Sequence, residues 1–215
     1  MKPPAEYEPD QLITLLRTAG PQLRARYFQS QPDLSDLINR SVGANTFRAF
    51  AHPARKPSEI FREWAHRYFI RARLYDLREI SDQSQYDRFV DAAIADLTQY
   101  WSDHGKQQLR FGASRKLINL LLKRIVRLSA LGDAARNTLI PLLHVPHDLF
   151  CLAAIRRSAN SGRFGTSIAI PRNASMGFIA SAAQYAALQE LVRRIAAAAG
   201  EPPISVDLVA WNYAH

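Results

Sequence analysis

The sequence predicts an all-α protein, and three observations carry that prediction. Apolar residues recur at helical spacing along the longer segments. Prolines and glycines fall at the edges of those segments rather than across them. Only one run, Gly165-Thr-Ser-Ile-Ala-Ile-Pro-Arg, reads as strand-like, and its flanking breakers make it a loop or a short extended piece.

The elements follow in order. Pro9 to Thr18, Pro21 to Ser30 and Pro32 to Arg40 each start at a proline, which suits a first helical turn. Ser58 is the expected N-cap of a longer helix to about Leu77, with Ile60, Phe61, Trp64, Tyr68, Ile70 and Leu74 on a helical period. A helix from about Ser84 to Ser102 puts Phe89, Ala92, Ala93, Leu97 and Trp101 on one side. Ser114 to Lys123 is helical and apolar apart from its cations. Ala182 to Ala199 is an amphipathic helix closed by Gly200, and Ile204 to Tyr213 follows the stop at Pro202-Pro203.

Composition bounds the function. A chain of 215 residues, 47% apolar, can bury a core as one compact unit. No segment reaches the roughly 20 apolar residues of a membrane span. Met1-Lys-Pro-Pro-Ala-Glu-Tyr-Glu lacks the apolar stretch of a secretion signal, so a cytoplasmic, membrane-free protein is expected. The single cysteine, Cys151, excludes an internal disulfide and a cysteine-built metal site, and reads as a small buried residue.

Charge divides the chain. Residues 1–103 hold 14 basic and 14 acidic residues, whereas residues 104–215 hold 14 and 5. The expected organisation is therefore a charge-balanced helical subdomain, 1–103, and a basic helical subdomain, 104–215. Between His104 and Gly132 stand Lys106, Arg110, Arg115, Lys116, Lys123, Arg124 and Arg127 with no acid. Between Leu149 and Gln189 stand Arg156, Arg157, Arg163 and Arg172, again with no acid. One-sided fields of this kind suit a polyanion such as a nucleic-acid backbone; the alternative is a set of solvated arginines.

Lys116 and Asp148 lie 32 positions apart, the first at the opening of an apolar helix, the second after the proline turn of Leu143-His-Val-Pro-His-Asp. A neutral lysine amine attacks a sugar C1′ to form a Schiff base, and a carboxylate beside it accepts protons and stabilises an oxocarbenium-like charge. Lys116 and Lys123 fall within about 20° of each other on the helix and about 10 Å apart along it, with Arg127 on the same stripe. That stripe is either functional or simply the solvated face. Asp207 and Trp211, four apart, share a helical face. They read either as an acceptor and a stacking ring for a purine, or as an acid near a helix N-terminus and a core tryptophan.

Ser114, Lys116 and Lys123, then Pro146-His147-Asp148, then Pro202-Pro203 with Asp207 and Trp211, resemble in order the helix-hairpin-helix DNA glycosylases, above all the archaeal 8-oxoguanine DNA glycosylase branch. The resemblance covers about residues 104–215. At the hairpin it departs from the family, with Leu131-Gly132-Asp133 in place of Gly-apolar-Gly. It implies two packed helical subdomains with a cleft between them. It implies a monomeric DNA glycosylase, with or without AP-lyase activity, excising an 8-oxoguanine-like purine from a flipped nucleotide. Lys116 is then the nucleophile and Asp148 its acidic partner, with Lys123, Asp207 and Trp211 lining the base pocket. Arg110, Arg115, Arg124, Arg127, Arg156 and Arg157 are the expected phosphate contacts, and no metal or other cofactor is expected. A catalytically silent DNA-binding protein of this fold and a helical protein-interaction module remain the alternatives.

Overall fold

The computed structural model describes residues 4–29, 33–48, 50, 55–105, 108–165 and 167–214, without the side chains of 71 and 214. Pro32, Lys106 and Thr166, named above, lie outside the described residues. Among the described residues there is no β-strand. The α-helices are α1 (Pro9–Tyr27), α2 (Leu34–Asn39), α3 (Ala44–Phe47), α4 (Pro57–Tyr68), α5 (Arg71–Arg78), α6 (Gln83–Gly105), α7 (Phe111–Ile125), α8 (Gly132–Leu142), α9 (Leu149–Ser161), α10 (Ala182–Ala199) and α11 (Ile204–Ala214). The fold class is all-α.

Packing divides the chain differently from charge. One compact unit joins Met1–Gln29 to Leu143–His215, and the other is Ser30–Leu142. The first holds 10 basic and 7 acidic residues, the second 18 and 12. The basic excess is thus shared, because residues 104–142, with eight basic residues and one acid, fall in the second unit.

In the first unit α1 packs on α9, α10 and α11. It runs unbroken through Pro21, where a new helix is expected from the sequence. An interior proline costs roughly 3 kcal/mol. The buried face of Leu12, Ile13, Leu16 and Gly20 holds the helix together across it. At Gly20 an added Cβ would sit 3.2 Å from the Glu201 side chain, so the residue marks a close approach of α1 to the segment before α11. Ser181 caps α10 by accepting from the Gln184 N–H, and Gly200 closes it at φ 73°, both ends as the sequence predicts.

In the second unit α4 packs on α6, α6 on α7, and α2 on both α4 and α7. The expected helix from Ser58 to Leu77 is two helices, and Ser58 lies inside α4 rather than capping it. A continuous helix would hold Phe69 about 100° round the axis from Tyr68. The break after α4 lets both rings enter the core, edge-on at 5.3 Å, and turns Ile70 out to solvent. On α6, Phe89, Ala93, Leu97 and Trp101 are buried as expected, while Ala92 is exposed. The strand-like run after Gly165 has no regular structure where it is described.

Candidate active site

The predicted site residues fall in both units. Asp148, Asp207, Trp211, Arg156 and Arg157 belong to the first; Lys116, Lys123, Arg110, Arg115, Arg124 and Arg127 belong to the second.

In the first unit the site grows from the start of α9. Asp148 is the N-cap, with extended backbone, and its Oδ1 accepts from the backbone N–H of Phe150 and of Cys151. Its Oδ2 accepts from the indole Nε1 of Trp211 at 2.9 Å. Three N–H donors therefore converge on one buried side chain, the complement of a carboxylate. Trp211 also packs on Phe150, with ring centroids 4.7 Å apart, yet remains 40% exposed.

Cys151 ties this cap to α11. Its backbone N–H bonds Asp148, while its thiol lies 3.2 Å from Asp207 Oδ1. Asp207 is wholly buried in a stretch where Ile204, Val206, Leu208, Val209 and Ala210 are buried too. A carboxyl in such a place costs stability without polar partners. Asp148, Asp207 and Trp211 are thus brought together around Cys151, which is the small buried residue expected. Asp207 and Trp211 do not present one common surface: the acid points into the core and the ring emerges from it.

The loop before Asp148 is buried although it has no regular structure. Leu143, His144, Val145, Pro146 and His147 all lie inside. Buried loop backbone needs partners. Gln189 of α10 supplies them, accepting from Val145 N–H at 3.1 Å and donating to its carbonyl at 2.9 Å. Pro146 has no N–H to satisfy. The Tyr185 hydroxyl pairs with His144 Nδ1 at 3.0 Å. His147 packs edge-on to the Tyr185 ring, and neither of its ring nitrogens has a hydrogen-bond partner among the described residues. Burial, with His144 as the second cause, pushes His147 down to about 3, so the ring is neutral at physiological pH. None of His144, His147, Tyr185 and Gln189 is a predicted site residue. The only signal for them is the short histidine-rich turn itself.

In the second unit α7 carries the lysines. Lys116 sits within the helix rather than at its opening, half-buried, with no ion-pair or hydrogen-bond partner among the described residues. Lys123 is buried, so the Lys116–Lys123 stripe is not a solvated face. Arg110 is the exposed N-cap residue of α7. Arg124 and Arg127 are half-buried. Arg115 bonds Asp91 at 3.1 Å and lies over the Phe111 ring.

The two arginines expected to meet phosphate after α9 begins are already engaged. Arg156 is buried, pairs with Glu6 and donates to the Arg172 carbonyl. Arg157 pairs with Glu8 and approaches Glu6 at 3.7 Å. The acid-free stretch of sequence is not acid-free in space, because partners about 150 residues away fold onto it.

Among the described residues no group of three or more His, Cys, Asp and Glu side chains could hold a metal ion. Among the described residues no helix is long and apolar enough to cross a membrane. No protein-family model, no curated protein and no solved structure matches this chain.

Proposed function

We propose that this chain is a DNA glycosylase with AP-lyase activity, acting on an 8-oxoguanine-like purine through Lys116 and Asp148. The observation that carries the reading is the cluster at the start of α9. Residues from separate motifs of the resemblance, Asp148 and Trp211, share a direct hydrogen bond, and Asp207 joins them through Cys151. A half-buried lysine amine without an ion-pair partner among the described residues supports the same reading, since a nucleophilic amine must not be committed elsewhere.

The chemistry runs as follows. The DNA backbone is held by cations that position the duplex without reading its sequence. The modified nucleotide leaves the stack. The exposed ring of Trp211 stacks on the extruded base. The amine of Lys116 attacks C1′ as the C1′–N bond breaks and the base departs with its electron pair; one amine proton passes through water to the departing base. Asp148 is the carboxylate assigned to stabilise positive charge at the sugar. The C1′–O4′ bond then opens, O4′ taking the second amine proton as C1′=N forms, and this Schiff base loses its C2′ proton and its 3′ phosphate by β-elimination. The helix-hairpin-helix glycosylase arrangement, the DNA partner and the monomeric state are part of this proposal.

Incubation with duplexes bearing single modified bases tests it. Release of the free base from one of them, with strand cleavage, is the expected result. Tight duplex binding with no release from any of the panel identifies a silent DNA-binding protein instead. No duplex binding at low salt removes nucleic acid from the account.

A further inference from the structure

Beside the C-terminal half of α9 lies an open hollow of about 540 Å³, lined by Arg156, Arg157, Arg172, Asn160, Glu6 and Glu8 among others. Its cations come from the acid-free stretch of sequence, and its acids come from the segment before α1. Residues 4–8 have no regular secondary structure. Within them Glu6 pairs with Arg156, and Glu8 with Arg157.

The cations of the hollow are not equivalent. Arg156 is fixed: it is buried, and it also holds the Arg172 carbonyl at 2.6 Å. Arg157 is half-exposed, and its partner Glu8 is as exposed as it is. Pairs of that kind are weak and are screened by salt, so their partner is readily exchanged. Arg172 is exposed and has no ion pair among the described residues. The side chain of Asn160 is exposed as well. The hollow therefore offers two exchangeable or open guanidiniums and an amide, with carboxylates resting where an anion would go. Glu8 is the N-cap of α1 and shares a capping box with Gln11, so its side chain can leave Arg157 while its backbone stays with the helix, and Asp10 holds Arg163 at 2.7 Å from within α1.

We propose that residues 4–8 form an acidic strap that occupies a phosphodiester-binding track made by Arg157, Arg172 and Asn160. The strap competes with DNA for that track. DNA phosphates displace Glu8, and in part Glu6, from the guanidiniums, and the counterions they shed add to the exchange. The inference rests on the DNA reading for its ligand and deepens it by adding a gated part of the interface.

The test is anisotropy with a fluorescein-labelled duplex carrying one 8-oxoguanine, at about 50 mM salt. Glu6→Gln with Glu8→Gln is compared with Asp36→Asn with Asp76→Asn, which removes the same charge from exposed ion pairs elsewhere. The strap variant is expected to bind about tenfold tighter than wild type, and the control less than about threefold tighter. Adding Arg157→Gln and Arg172→Gln to the strap variant abolishes the gain. Glu8→Gln alone, which leaves the Arg156–Glu6 pair intact, retains part of the gain should the double variant unfold. Equal tightening in strap variant and control, or a gain that survives loss of Arg157 and Arg172, overturns the strap. Base release by the same proteins separates the two ideas. Release without preferential tightening removes the strap and leaves the glycosylase. Preferential tightening without release removes the glycosylase and leaves the strap.

Discussion

Replacing Asp148 by asparagine tests the geometry at the start of α9. The carboxylate serves two sets of donors: Oδ1 takes the two backbone N–H groups of the cap, and Oδ2 takes the Trp211 indole. An amide has one acceptor oxygen. If that oxygen keeps the cap, the NH2 group faces the indole N–H, donor against donor. A buried hydrogen bond to a charged group contributes about 1.5–3 kcal/mol. Asp148→Asn should therefore destabilise by at least that much, and Trp211→Phe, which removes the indole donor but keeps a ring on Phe150, by a similar amount. In the double variant the clash is gone. Its cost should fall short of the sum by about 1–2 kcal/mol, well outside the roughly 0.5 kcal/mol seen for independent sites. Urea unfolding of the four proteins, followed by circular dichroism, measures the cycle. Additive costs would show that the indole and the carboxylate do not support each other.

Two further outcomes follow from the same unit. His147 sits at about 3 in the folded chain against roughly 6.5 when unfolded, so only the unfolded state takes up a proton between those values. Its stabilising contribution is complete above about pH 6.5, weakens as pH falls, and is gone below about 3. At pH 4.5 about 2–3 kcal/mol should be lost relative to pH 7. His147→Phe should flatten that part of the pH profile; an unchanged acid slope would mean that the buried ring is not its source. Trp211→Ala should slow excision about tenfold to a hundredfold while sparing reaction at a pre-formed abasic site, where no base needs stacking. Equal slowing at both sites would move the ring's role from base holding to folding or chemistry.

The fold class was legible because helix caps and periods are local. The helix Ala182 to Ala199, closed by Gly200, is read from the sequence with the bounds it has in space. What was not legible came from contacts distant in sequence. Pro21 reads as a helix start, yet the buried face of α1 carries the helix through it. Phe69 breaks a strongly periodic segment because two adjacent rings both enter the core. Arg156 and Arg157 look unopposed when acids are counted along the chain, and only the return of Glu6 and Glu8 pairs them. At the site, the proline turn before Asp148 was legible and the spacing of Asp207 and Trp211 marked α11, but the helix that Asp148 caps was not read from the sequence. Nothing local could show that Asp207 points at Cys151, or that Gln189 and Tyr185 hold the loop that delivers Asp148.

The central claim is that Lys116 is a Schiff-base nucleophile. Borohydride reduction during reaction with a duplex bearing 8-oxoguanine or an abasic site tests it directly. A covalent protein–DNA adduct is expected with the wild-type chain, and Lys116→Gln should bind the duplex yet give none. An adduct that persists in Lys116→Gln and disappears in Lys123→Gln would assign the chemistry to the buried Lys123 instead, and the absence of an adduct from every protein would contradict the mechanism.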